Sequence, residues 1–366
     1  MTSIYIAGAS SRARTTKEYL EKLNPDIKVL AYLVSPEMDD NPDEADGLFV
    51  VPISNESHVD TSVKVYLGTR GVNHDKLTSE LLGIGFSADN IIPVTPELDM
   101  KLRNEYVRQA FEKKGKEFIK LDDLSDGRDA SESICSSSAH LFIAKTVFDS
   151  DFEKPVPLRS YEYIIQAGTT PAGTGLSDAL YFDNEGEGIS DKNSRFCELT
   201  AMYWIWKNFT DEIVGLEHWR RRFLLPDNWL DVMRSEKIDV ILPVPLCVMP
   251  SIKENFVTRH LPVFWDETMK IIGGLFPEDL AKAEKYFDDT NLYSPCNMLI
   301  TRKEIFDDYS SWLFPILLEL NEHIGVVEDK YQNRYPGFVS ERLLNFYFEV
   351  RRSDLKIAYA DKSFLK

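Results

Sequence analysis

The sequence has only four cysteines in 366 residues, Cys135, Cys197, Cys247 and Cys296, widely scattered and without a CxxC pair. That excludes a disulfide framework and a cysteine-based zinc site, and it fits a reduced, cytoplasmic compartment. No apolar run approaches the ~20 residues a spanning helix needs. The best, Trp312 to Leu320, is short and interrupted by Pro315. The amino terminus lacks the basic segment and long apolar stretch of a secretory signal. Positive charge is scarce: 42 Lys plus Arg face 60 Asp plus Glu, a net charge of −18. Such a field repels a phosphate-rich polymer, so no nucleic-acid partner is expected, although a local pocket for one small anion is still allowed. The nucleophile elbow GxSxG and the zinc motif HExxH are missing, and the six histidines are dispersed.

What is present is material for packed cores. Hydrophobic residues make up 43% and aromatics 12%, and at roughly 100–200 residues per domain the length predicts two domains. Residues 1–124 alternate strand and helix. Strands are expected at Ile4–Ala7, Lys28–Val34, Leu48–Pro52, Val63–Leu67 and Asn90–Val94, and helices at Thr15–Leu23, His74–Leu82 and Leu98–Lys114. This alternation predicts a Rossmann-like parallel sheet. Residues 125–139 are rich in Asp, Ser and Gly and read as a linker. Residues 140–366 begin again as mixed α/β. Strands are expected at Leu141–Thr146, Tyr163–Gln166, Ile213–Leu216, Val240–Pro243 and Cys296–Thr301. Helices are expected at Asn193–Asn208, within Lys253–Asp288, at Lys303–Asn321 and at Ser340–Arg351.

Four segments could carry chemistry. Gly8-Ala9-Ser10-Ser11-Arg12-Ala13 follows the first strand but lacks two glycines of a dinucleotide fingerprint, and the second strand ends without the ribose-binding acid. It is either a nucleotide turn or a structural one, and Arg70 after Gly68 is either an anion ligand or a surface residue. Gly215-Leu216-Glu217-His218-Trp219-Arg220-Arg221-Arg222-Phe223 runs from a buried-type strand into three consecutive arginines. Guanidinium groups grip phosphate bidentately, and the flanking aromatics speak against a purely solvated loop. In Gly186–Glu198, Ser190 or Asp191 suits a helix cap and Glu198 an early helical position. In Pro336–Leu344, Ser340 would cap a helix with Glu341 in its first turn, either as plain capping or as a carboxylate aimed into a cleft as a general base.

Taken together, Gln166-Ala167-Gly168, Ile189-Ser190-Asp191-Lys192-Asn193, Glu198 to Asn208, Gly215 to Arg221, His260, Cys296 to Phe306 and Ser340-Glu341-Arg342-Leu343 follow in an order that resembles a bacterial glycosyltransferase domain. That family serves capsular and exopolysaccharide biosynthesis and was long catalogued as a domain of unknown function. The resemblance covers the whole second domain. Two segments depart from the family pattern. Gly186-Glu187-Gly188-Ile189-Ser190 stands where the family usually has Gly-Asp-Asn-Ile-Ser, and His218 to Phe223 where it usually has His-Tyr-Arg-Arg-Tyr-Phe.

The resemblance implies a GT-A-like fold and a UDP-sugar donor, with galactose the leading sugar. It implies Gln166, Gly168, Asp191, Lys192, Asn193, Arg220 and Arg221 on the donor side, and His260, Asn297 and Arg342 on the acceptor side. Glu341, Glu217 and His218 would be the catalytic group, with Glu341 as base. Arg220 and Arg221 would neutralise the donor diphosphate, replacing or supplementing a divalent cation such as manganese or magnesium. If a cation takes part, Glu217 and His218 would be its ligands. The implied acceptor is a glycan or lipid-linked glycan, at the inner face of the cell membrane. From Arg351 onward five basic residues (Arg351, Arg352, Lys356, Lys362, Lys366) face two acids (Asp354, Asp361), a net +3 that suits either a solvated tail or peripheral contact with anionic lipid. The alternatives are a non-catalytic sugar-nucleotide-binding or scaffold subunit, which the altered Gly186–Ser190 segment favours, and an oxidoreductase using the N-terminal sheet, which the missing glycines oppose.

Overall fold

The computed structural model describes residues 1–37, 41–125, 139–169 and 175–365. The expected linker thus lies, but for its end residues, outside the described residues. The chain forms two compact units, Met1–Glu117 and Phe118–Lys366. The second unit begins ahead of the expected linker, because Leu121 is fully buried in its core beside Ile119 and Leu124.

In the first unit, strands β1 (Thr2–Ala7), β2 (Ile27–Val34), β3 (Glu44–Ala45), β4 (Leu48–Pro52), β5 (Lys64–Leu67) and β6 (Ile91–Pro93) form one sheet in the order β3-β4-β2-β1-β5-β6. Every pairing is parallel except β3 with β4. Alternation along β1 sends Tyr5 and Ala7 to one face and Ile4 and Ile6 to the other. Helix α1 (Ser11–Leu23) contributes Ala13 and Leu20 to the Ile4 face, α2 (His74–Gly83) contributes Leu77 and Leu81 to the Tyr5 face, and α3 (Pro96–Lys113) adds Leu102 beside α1. Both faces are covered, which is why these strands read as apolar runs. The glycines that suggested a nucleotide turn have a packing explanation. A Cβ on Gly8 would stand 2.6 Å from Thr69, and one on Gly68 would stand 2.8 Å from the Ala13 backbone. Arg70 is exposed.

The second unit opens with the short α4 (Leu121–Ser125). Its main sheet has seven strands in the order β15-β11-β14-β10-β7-β8-β9. They are β7 (Ala139–Lys145), β8 (Glu162–Gln166), β9 (Tyr181–Phe182), β10 (Ile213–His218), β11 (Val240–Pro243), β14 (Leu299–Arg302) and β15 (Ile357–Ala360). A small ladder pairs β12 (Leu246–Cys247) with β13 (Leu292–Tyr293). Within the main sheet β14 runs antiparallel to β10 and β11, and the other pairings are parallel. The carboxyl ends of β7, β8 and β10 therefore share one edge, the place where open α/β sheets present ligands. The fold class expected from the sequence, an N-terminal Rossmann-like sheet and a C-terminal GT-A-like mixed α/β domain, is the one observed.

The helices are α5 (Asn193–Phe196), α6 (Leu199–Asn208), α7 (Trp229–Ser235), α8 (Ile252–Val257), α9 (Pro262–Leu275), α10 (Pro277–Asp289), α11 (Lys303–Ile324) and α12 (Tyr335–Phe346). Three expectations are corrected. The helix over Asn193–Asn208 is two helices, broken at Cys197 with φ +51°. The strand expected from Cys296 starts at Leu299, because Cys296 (φ +79°) and Asn297 (φ +47°) are both left-handed. The last long helix starts at Tyr335, with Pro336 in its first turn where a missing N–H costs nothing. Ser340 is therefore interior rather than a cap. The basic segment from Arg351 is not a free tail either. Arg351 pairs with Asp279, Arg352 with Asp308 at 3.2 Å and Lys356 with Glu236 at 3.6 Å, and β15 adds an edge strand beside β11.

Candidate active site

At the shared edge of β7, β8 and β10 lies an open cleft of about 260 Å³. Its wall includes Ala144 near the end of β7 with Thr146 and Asp149 after it, Ala167 after β8, His218 at the end of β10 with Trp219 to Arg221 after it, Asn193 at the start of α5, Cys197 and Glu198 at the α5–α6 break, and Arg334 ahead of α12. Of the expected residues, Asn193, His218, Arg220 and Arg221 stand on this wall.

The arginine turn is built tightly. His218 and Arg221 exchange both backbone hydrogen bonds at 3.0 Å. The C-terminal segment runs alongside, with Leu224 N–H donating to Asp361, Ser363 N–H to Arg222 and Leu365 N–H to Arg220, at 2.7–2.9 Å. Arg220 donates to Ser150 Oγ at 2.5 Å, and the Arg221 guanidinium lies 5.5 Å from the Phe364 ring. Arg222 turns inward instead and pairs with Glu162 at 3.2 Å, both side chains buried.

Glu217 is not where a metal ligand or catalytic group is needed. Neighbouring residues on a strand point to opposite faces, so Glu217 leaves the cleft that His218 enters. It is fully buried, its Oε1 accepts from Phe223 N–H at 2.6 Å, and its other oxygen has no hydrogen-bond partner among the described residues. Burial, then the charge of Glu162, raises its pKa far above the usual carboxylate range, against the pull of Arg159 and Arg222. His218 Nε2 stands 2.5 Å from the Cys296 carbonyl, an acceptor only, so this nitrogen carries the proton and is not a free ligand. Glu217 and His218 do not fit as a cation-binding pair. Among the described residues no group of three or more His, Cys, Asp or Glu side chains could hold a metal.

The donor-side loop is pinned by a residue the sequence reading missed. Asp183, fully buried, accepts from Gly168 N–H through both oxygens at 3.0 Å and from the Ser190 hydroxyl. Its pKa is raised by burial, against these hydrogen bonds. Gly168 has φ +91°, and a Cβ there would stand 2.9 Å from Asn193 Cγ. Asn193 in turn donates to the Cys197 carbonyl at 2.8 Å and to Thr200 at 3.1 Å. Gln166 is buried and accepts from Leu176 N–H at 2.6 Å. Asp191 is exposed and pairs with its neighbour Lys192 at 3.2 Å, and neither reaches the cleft wall.

On the other side, Asn297 Nδ2 donates to Glu198 at 2.7 Å and to the Gly337 carbonyl at 3.2 Å. Glu341 stands behind the wall, 3.0 Å from the buried Arg342. Burial raises its pKa, Glu198 adds to this, and Arg342, His218 and Arg221 oppose it. His260 is packed against Phe338 at 4.2 Å and sits 3.3 Å from Gln332. Burial, then Arg342, pushes its pKa down to about 4, so it is a neutral aromatic at pH 7. Glu198, Asp149 and Arg334 reach the wall without having been chosen as site residues. Only Glu198 carried a signal, its early position in the expected helix.

The mixed sheet of the second unit is that of a glycosyltransferase-like α/β domain. A solved structure supports this: the apo form of WbbM, a bifunctional glycosyltransferase, matches with TM-score 0.54 and 26% identity, covering 63% of this chain and 45% of that one. The chain therefore spans less than half the length of that relative. Residues 152–352, over half of the chain, match the model of the domain of unknown function DUF4422, and the chain belongs to that family. No curated protein matches the sequence.

Proposed function

We propose that this protein is a nucleotide-sugar-dependent glycosyltransferase of capsular or exopolysaccharide assembly. It would move a sugar, galactose first among the choices, from a UDP-sugar to a hydroxyl of a glycan or lipid-linked glycan. The observation that carries this reading is the pair Arg220 and Arg221 turned into a cleft at the carboxyl edge of the sheet in a chain of net charge −18. Two guanidinium groups there suit a diphosphate, and their charge would stabilise the nucleoside diphosphate as it leaves. The likeness to WbbM supports the same reading. No helix among the described residues is long and apolar enough to cross a membrane, so a lipid-linked acceptor at the inner face would be met by peripheral contact.

The test is the melting temperature of the purified protein with UDP and a set of UDP-sugars, with and without manganese, followed by UDP release. A ligand at 100 times its Kd adds about 2.7 kcal/mol of stability. Stabilisation by UDP without metal, lost in Arg220→Ala, is the expected result, and the best UDP-sugar identifies the donor. Binding without turnover would favour a sugar-nucleotide-binding scaffold subunit. No shift with any nucleotide would overturn the proposal.

A further inference from the structure

We propose that Glu198 is the base that takes the proton from the attacking hydroxyl, a role that rests on the transferase reading above. Two carboxylates stand on the cleft wall, Asp149 and Glu198. Asp149 is committed to its own loop, where its Oδ2 accepts from Thr146 N–H at 2.8 Å and from the Thr146 hydroxyl at 2.9 Å. Glu341, the expected base, lies off the wall and is held by Arg342 at 3.0 Å. Glu198 stands on the wall, as Glu341 does not, and it is held from a distant segment rather than within its own loop: its Oε1 accepts from Asn297 Nδ2 at 2.7 Å and lies 3.8 Å from His218 Nε2, while no hydrogen bond joins its Oε2 to a described residue. One oxygen orients the group and the other is open to a proton.

The backbone around this carboxylate supports the assignment. Cys197, Cys296 and Asn297 are non-glycine residues at φ +51°, +79° and +47°. Cys197 precedes Glu198, Asn297 holds its Oε1, and the Cys296 carbonyl accepts a hydrogen bond from His218 Nε2 at 2.5 Å. Such strained conformations persist where the surroundings over-determine them, and they cluster at functional sites. Arg334 Nε, 3.1 Å from Cys197 Sγ, braces the same turn. The carboxylate and the Arg220–Arg221 pair share one cleft, as a single displacement requires.

In that displacement the acceptor oxygen bonds to the anomeric carbon while its proton passes to Glu198 Oε2. The bond from the anomeric carbon to the phosphate oxygen breaks, and its electron pair leaves with the nucleoside diphosphate, facing the arginines. The carboxylic acid then returns its proton to water.

The test uses the full chain, UDP-galactose and related UDP-sugars as donors, water standing in for the acceptor, and UDP release as the readout. Glu198→Gln keeps a carbonyl oxygen for Asn297. It is expected to bind UDP within about threefold of wild type and to lose about 100-fold or more in turnover, as general-base removal does. Formate is expected to restore part of the turnover of Glu198→Ala. If Glu198→Gln does not fold, Glu198→Asp carries the test, with UDP binding kept and turnover down about tenfold or more. Turnover above a third of wild type in Glu198→Gln, or a matching loss confined to Glu341→Gln, overturns the assignment. A wild-type protein that neither binds UDP nor releases it sinks the transferase reading itself, which the variants alone would not do.

Discussion

Arg222 Nη1 lies 3.2 Å from Glu162 Oε2 with both side chains out of solvent, while the preceding Arg221 lines the cleft with its guanidinium 5.5 Å from the Phe364 ring. Neighbours in sequence thus have separate tasks. Arg222→Ala would remove the buried partner of Glu162, leaving it with the partly exposed Arg159 at 3.5 Å, and is expected to cost about 3–5 kcal/mol. Arg221→Ala is expected to change stability by less than about 0.5 kcal/mol, as surface substitutions do, yet to weaken UDP binding. Urea unfolding and UDP titration of both variants check this, and equal stability losses would refute it.

Gly168→Ala tests the donor-side loop. The substitution meets both a positive φ of +91° and Asn193 Cγ at 2.9 Å, and Asn193 is itself tied to Cys197 and Thr200. Gly325 is the control, with φ +71° and nothing within 4 Å of an added Cβ. Gly325→Ala carries backbone strain alone, of order 1 kcal/mol. Gly168→Ala is expected to lose about 1–3 kcal/mol more than the control and to lower UDP affinity, both readable by thermal melts with and without UDP. A Gly168→Ala protein as stable as the control would remove the steric argument.

What could be read beforehand follows from what leaves a periodic trace. Short apolar runs mark strands, so the partly exposed Leu48–Pro52 and the fully buried Val240–Pro243 were both legible to the residue. The arginine run was conspicuous in so acidic a chain. Left-handed turns at Cys197, Cys296 and Asn297 leave no such trace, because no glycine marks them, and they hid both the helix break and the setting of Glu198. Glu217 looked chemical beside His218, and only strand alternation against a known cleft separates the two. Asp183 was invisible because its partners, Gly168 N–H and Ser190, come from two other segments. The edge strand Ile357–Ala360 was masked by basic neighbours that are ion-paired within the fold.

Glu217→Gln should stabilise the protein, increasingly so as pH rises. The folded-state pKa of Glu217 is raised, by burial and then by Glu162. Above the ordinary carboxylate pKa of about 4.3, the folded protein holds a proton that the unfolded chain has lost, so wild-type stability falls as pH rises through that window. Glutamine keeps an acceptor for Phe223 N–H and has nothing to ionise. Relative to wild type it is expected to gain of the order of 1 kcal/mol per pH unit within the window, and little near pH 4. Melts at pH 4, 6 and 8 check this. Unchanged stability at pH 8, or loss of turnover without loss of fold, would restore Glu217 as a site residue.

His260 carries the opposite sign. Its folded pKa is pushed down to about 4, first by burial and then by Arg342 and Arg259, with Gln332 opposing. Unfolded, it titrates near 6.5. Between those values the unfolded chain binds the proton and the folded protein does not, so the contribution is intact above about pH 6.5 and is lost as pH falls toward 4. His260→Phe keeps a ring beside Phe338, which lies 4.2 Å away, and removes the titration. The variant forfeits the Gln332 contact at every pH, so the measure is slope rather than level. Wild-type stability minus that of the variant is expected to fall by of the order of 1 kcal/mol per pH unit from 6.5 down to 4. Denaturant titrations of both proteins across that range give the slope. A difference that stays flat would mean that the imidazole is protonated in the fold, and would place a second positive charge beside Arg342.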